Sequence, residues 1–254
     1  MPEATLQLGN LHGVWRTVYA HRQALHTTAD QLVIAAWRRD IHGLDLDTAL
    51  AWWTTTPQET ADPDRQHRRE AASAAVLTAL TGWSWLRGLA ALRQAIRQAH
   101  RTGWRTGRHL TTTGQDDDTP LVDDGGGDTV PDAADLTDAA VDNAAATALT
   151  AALRATARRA GRHMADADDP AAAEQTIADG YDLKQAADVA VSAAYGAGVL
   201  AAYLATGATS VSWVTAGDGH VCSACTTAEA GSPYSLLAAP RLPQHPNCRC
   251  VLTT

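Results

Sequence analysis

Between Thr111 and Asp132 the chain reads TTTGQDDDTPLVDDGGGDTVPD, the stretch hardest to place inside any compact fold. Neighbouring aspartates repel one another, three consecutive glycines and two prolines oppose helix and strand, and almost nothing apolar is available to bury. It therefore divides the sequence into an N-terminal helical domain at 1–113, an acidic flexible linker at 114–131 and a C-terminal domain at 132–254. The total of 254 residues is comfortable for two domains, and a hydrophobic content of 45% is enough for each to have a core. A second role for the acidic stretch stays open, as a tether that imitates nucleic acid or occupies the arginine-rich helix before it.

The net charge of −8 hides this division. Residues 1–110 carry 13 arginines against nine acidic residues, whereas 111–142 carry ten aspartates and no basic residue. The total is thus no guide to partners. No apolar run approaches the roughly 18 residues that span a bilayer, and Met1-Pro-Glu-Ala-Thr lacks the basic and apolar regions of a signal peptide. A membrane protein and a conventionally secreted protein are both unexpected.

The periodicity is helical before the linker. Leu11, Val14, Trp15, Val18, Leu25, Leu32, Val33 and Trp37 recur mostly at spacings of three, four and seven, as on one face of a long helix. Asp47 can cap a short helix around Leu50, Trp52 and Trp53. Asp62-Pro63 starts another that continues to Gly82. From Trp83 to about Leu110, Trp85, Leu89, Leu92, Ile96 and Ala99 keep the 3.6-residue period. Beside that stripe run Arg93, Arg97, Arg101, Arg105 and Arg108, with no acidic residue anywhere in 83–110. Such a row is either a surface for phosphate or carboxylate partners or the solvated face of an amphipathic helix.

After the linker, an alanine-rich helix is expected from Asp132 to about Asp168, capped by Asp135 or Thr137. A second is expected from Leu183 to Thr206, with Gly207 at its C-terminal stop and Gly196 and Gly198 on a small face suited to close packing. From Ser210 the pattern alternates: Val211, Trp213 and Thr215 read as one face of a short strand entering a turn at Gly217-Asp218-Gly219.

All four cysteines then fall within 29 residues, as Cys222-Ser-Ala-Cys225 and His245-Pro-Asn-Cys248-Arg-Cys250. CxxC lets one turn aim two thiolates at a single tetrahedral ion, and HxxC repeats the spacing after nineteen intervening residues. If Cys248 and Cys250 lie on a strand, both face the same side. Five candidates thus compete for four positions: Cys222 and Cys225, with two of His245, Cys248 and Cys250. Structural zinc is the favoured occupant. Disulfides or free thiols are the rival, while a thioredoxin-like pair lacks its βαβ setting and a zinc deaminase lacks its His-x-Glu.

The stretch Leu200–Thr254 resembles the C-terminal core of phage head morphogenesis proteins, the Mu F-like minor capsid family. The matching residues are Trp213-Val-Thr215-Ala-Gly-Asp218, Val221-Cys222-Ser-Ala-Cys225, Gly231-Ser-Pro-Tyr234 and Pro243-Gln-His245-Pro246-Asn-Cys248-Arg249-Cys250. The preceding helix, ending Ala202-Tyr203-Leu-Ala-Thr-Gly207, is similar to the family's as well. Trp213 and Asp218 mark the motif turn. Some relatives carry a toxin or ADP-ribosyltransferase module at this end. Here four residues follow Cys250, so no effector activity is expected.

The resemblance implies a minor capsid protein that joins the procapsid beside the portal protein, among major capsid or scaffold proteins, with packaged DNA as a further contact. It implies no enzyme activity, no membrane partner, and a place inside the virion near the portal after assembly in the host cytoplasm. The expected fold is mainly α (α+β): an N-terminal helical region, the linker, and a helical C-terminal domain ending in a small zinc-knuckle β module at 210–254. The alternative from a different class is a zinc-dependent hydrolase or nuclease built on the Cys/His cluster, with Asp218, His220 and His245 around an open zinc. An isolated zinc-ribbon regulator is disfavoured, because 210–254 holds just Arg241 and Arg249 as basic residues.

Overall fold

The computed structural model describes residues 14–44, 65–113, 135–167, 169–215, 221–245, 248 and 250–254. The expected short helix near Leu50, the Asp62-Pro63 start, the acidic linker and the turn at 217–219 lie outside them. Among the described residues the protein is mainly helical, with one small antiparallel sheet. The elements are α1 (Val14–Ile41), α2 (Arg65–Gly82), α3 (Leu86–Thr113), α4 (Asp138–Ala167), α5 (Pro170–Ala178), α6 (Tyr181–Ala205), β1 (Ser210–Val214), α7 (Ser223–Ala230), β2 (Tyr234–Ser235) and β3 (Val251–Thr253).

Helix α5 was not foreseen, although its start carries the same Asp-Pro signal as residues 62–63. Asp169 accepts the Ala172 N–H at 2.9 Å, and Pro170 occupies the first turn, where its missing N–H costs nothing. Gly180, at φ 65°, separates α5 from α6. Together Pro170–Ala205 reach a mean hydropathy of 1.4 over their most apolar 18-residue window, 56% of it buried inside the protein. This corrects the expectation that no stretch approaches bilayer-spanning composition. Small residues, chiefly alanine and glycine with scattered Val, Leu and Tyr, accumulate hydropathy without any long run of large apolar side chains.

The described residues group into two compact units. One lies within Met1–Thr28, Ile96–Asp138 and Val191–Thr254, the other within Ala29–Ala95 and Ala139–Ala190. Each draws on segments from both sides of 114–131, since the packing partners of the early helices come late in the chain. In the second unit Trp37 and Trp85 stack, with ring centroids 4.4 Å apart. The Trp37 indole N–H donates to the Ile177 carbonyl at 2.8 Å, and that of Trp85 to Leu80 at 2.6 Å. The buried carboxylate of Asp40 accepts the Gly88 N–H at 2.7 Å, a cap for the first turn of α3 supplied by α1.

In the first unit α3 and α6 meet through glycines. A Cβ at Gly103 would collide with the Tyr195 carbonyl, and one at Gly198 with that of His100, so only glycine allows this approach. The sheet that follows α6 has the order β2-β1-β3, with Val211 opposite Tyr234 and Trp213 opposite Leu252. Burial alternates along β1 as its sequence pattern requires, Val211 and Trp213 facing the core. The Tyr203 hydroxyl of α6 donates to the Leu252 carbonyl at 2.9 Å and fixes β3 to the helix.

His100 is buried on α3, with its Nδ1 3.8 Å from Asp135. Burial pushes its pKa below the ordinary 6.5, outweighing the pull of the Asp135 charge. The unfolded chain therefore takes the proton first. The contribution of neutral His100 is complete above about pH 6.5 and is lost as pH falls through the lower folded value. Urea midpoints between pH 7.5 and 5.5 should fall less in His100→Asn than in the parent. Equal falls would locate the acid sensitivity elsewhere.

Candidate metal centre

The CxxC, the HxxC and the residue beyond it converge. Cys222 is the N-cap of α7, and its sulfur accepts the Cys225 N–H at 3.4 Å, so the helix start itself orients both thiols. Cys225 is buried one turn further on, with its Sγ 3.3 Å from His245 Nε2 and 3.8 Å from Cys248 Sγ. Two triads result, Cys222–Cys225–His245 and Cys225–Cys248–Cys250, the ligand atoms of each lying within 4.8 Å of one another. Cys225 belongs to both. This Cys/His group could hold a metal ion.

The spacing fits a tetrahedral ion. Sulfurs about 2.3 Å from a common zinc stand about 3.8 Å apart at the tetrahedral angle, and a sulfur–nitrogen pair somewhat less. The distances from Cys225 to Cys248 and to His245 match this order. No cysteine is in a disulfide. Cys248 and Cys250 precede β3 rather than lying on it, but the segment there keeps both thiols buried and within one triad.

Protons are unevenly shared among the thiols. The Cys250 thiol donates to Cys248 and holds its pKa down at about 4, against the opposing effect of burial. The same bond, with burial, pushes Cys250 up. Burial raises Cys225 to about 12. The Cys225 backbone N–H lowers that of Cys222. Cys248 is thus disposed to thiolate, and a soft cation would displace protons from the others.

Of the remaining sequence candidates, Trp213 is buried on β1, where its backbone N–H donates to the Ser232 hydroxyl at 2.7 Å. Asp218 and His220 lie outside the described residues. The arginine row does run along one face of α3, but acidic residues from the start of α4 and just before it meet it. Arg93 pairs with Asp142 at 2.6 Å, Arg97 with Asp138 at 2.6 Å and Arg101 with Asp135 at 3.4 Å. Arg105 is exposed and Arg108 half-buried on the later turns. The acidic partners missing within the helix are therefore supplied by another element, in reverse order along the chain. Exposed pairs of this kind contribute about 0–1 kcal/mol each. Arg97→Gln with Arg101→Gln should lower stability by no more than about 2 kcal/mol, with most of the loss gone in high salt. A larger, salt-independent loss would mean that these side chains pack rather than pair.

One contributor had no signal in the sequence. Arg22, on α1, reaches the far end of the chain and donates to the Cys250 carbonyl at 2.7 Å and the Cys248 carbonyl at 2.5 Å. Nothing in helical periodicity marks one arginine of α1 as a contact for residues more than 220 positions away.

Comparison with protein-family models, with curated proteins and with solved structures finds no match to this chain.

Proposed function

We propose that this chain is a phage minor capsid protein of the head morphogenesis type, built to associate with the portal during procapsid assembly and stapled at its C-terminal end by one structural zinc. The observation that carries the proposal is the convergence of the motif segments on one place. Cys222 and Cys225 at the start of α7, His245, and Cys248 with Cys250 form two triads joined at Cys225, and β1, with Trp213, pairs with β3 immediately beyond Cys250. These are the stretches that resemble the Mu F-like family.

Zinc suits the donors, since thiolate and imidazole together favour it over hard, oxygen-seeking cations. Four protein donors drawn from the two triads would fill a tetrahedral ion and leave no position for water, which favours a structural over a hydrolytic role. Held by these residues, an ion would cross-link α7, the 245 segment and the entry to β3. A small module with a short sheet gains from such a staple more than a large core would.

Co-expression with the neighbouring portal and capsid genes, followed by purification through the portal, is the direct test. Co-purification of the zinc-loaded chain in a few copies per portal ring is the expected result. A zinc-loaded chain recovered free of both portal and procapsid would remove the assembly role while leaving the metal centre standing.

A further inference from the structure

The Arg22 side chain is an unusual object for a protein interior. The residue is 4% exposed, and no carboxylate pairs with it among the described residues. Its partners are neutral: the carbonyls of Cys248 and Cys250, the Ser192 hydroxyl at 3.2 Å, and the Tyr195 ring, whose centroid lies 5.9 Å away. The Ser192 hydroxyl is itself 3.2 Å from His26 Nε2. A buried guanidinium satisfied in hydrogen bonds but not in charge is costly unless negative charge lies close by.

The two carbonyls supply the clue. Cys248 and Cys250 are two residues apart, and in extended backbone the carbonyls of such residues point to the same edge of the chain. The planar fork of arginine can hold two such acceptors at once, one on each terminal nitrogen, which the single ammonium of lysine cannot do as rigidly. Gripping the backbone in this way fixes both residues with their thiols in the triad shared with Cys225. A divalent ion held by three or four thiolates also carries net negative charge, the compensation that the guanidinium otherwise lacks.

We propose that Arg22 is the positioning residue of the metal centre: it clamps the ligand-bearing segment through the Cys248 and Cys250 carbonyls, and its charge offsets that of the metal–thiolate group. The inference depends on the metal binding argued under Proposed function. It assigns Cys248 and Cys250, together with Cys225, to the ligand set.

The full chain, with zinc and cobalt(II) as probes, tests this through Arg22→Met and Arg22→Lys. Removing the partners that orient metal ligands typically weakens binding by about 10–100-fold. Competition with a chromophoric chelator should show a loss of that size in Arg22→Met, and the thiolate-to-cobalt absorption should shift. Arg22→Lys, which keeps the charge and one donor, should recover part of the affinity. Zinc binding within about threefold of the parent, with an unchanged cobalt spectrum in Arg22→Met, would overturn the proposal, as would a lysine variant no better than the methionine one. If Arg22→Met loses its helical circular dichroism, Arg22→Lys decides alone, parent-like affinity and spectrum being the result against. A parent chain that takes up neither ion overturns the metal reading itself, and with it the role of Arg22.

Discussion

Cys225→Ala is expected to reduce the bound zinc from about one ion per chain to a small fraction, and to unfold the segment around it. Cys225 is the one thiol common to both triads, so its loss damages the site whichever four donors hold the ion. The expected effect is large because, under the proposed zinc binding, ligation and local folding form a single equilibrium: an ion contributes free energy on the order of 10 kcal/mol in small zinc modules. The sheet has few other supports. Its strands are five, two and three residues long, and β3 follows directly on Cys250. Elemental analysis of protein purified without added metal reads the first effect, and hydrogen exchange over 210–254 reads the second. Full zinc occupancy in Cys225→Ala would remove Cys225 from the ligand set. Cys222→Ala and Cys250→Ala, measured alongside, should differ from one another, and the weaker binder identifies which triad supplies more of the grip.

The long helices were legible because each carries its own signal, whereas the short α5 and α7 were not predicted. The stripe from Trp85 to Ala99 repeats at the helical period, and Gly207 adopts φ 79° where the end of α6 was expected. The strand at Ser210–Val214 was legible for the same reason, its alternation being local. The Cys/His cluster that could hold a metal was legible through spacing, since CxxC and HxxC state their geometry in a few residues. What could not be read is what depends on pairing between distant elements. The acidic residues that meet Arg93, Arg97 and Arg101 are 34 to 49 positions away, and periodicity says which face a residue occupies but not what lies opposite. Arg22 illustrates the same limit, because a buried arginine and a solvated one look alike in sequence. The two compact units are of this kind too, each assembled from separate stretches of chain.

Among the long-range contacts, the one with the largest consequence for stability is the tryptophan pair of the second unit. Trp37 is fully buried, stacks on Trp85 at an interplanar angle of 18°, and donates its indole N–H to the Ile177 carbonyl at the end of α5. Its ring also lies against Gly180, where a Cβ would come within 2.9 Å of Trp37 Cδ1, so the turn between α5 and α6 is shaped around it. Trp37→Ala removes the ring, leaves a cavity that rigid helices can only partly close, and orphans the Ile177 carbonyl. The expected cost is about 3–5 kcal/mol, a large share of the stability of a typical domain. Trp37→Phe keeps most of the volume and the stack but not the donor, so it should lose about 1–3 kcal/mol. Urea unfolding followed by circular dichroism, which reports all the helices, measures both. A Trp37→Ala loss below about 1 kcal/mol would mean that the ring is not in a tightly packed core. Equal losses in the alanine and phenylalanine variants would assign the effect to the hydrogen bond rather than to packing.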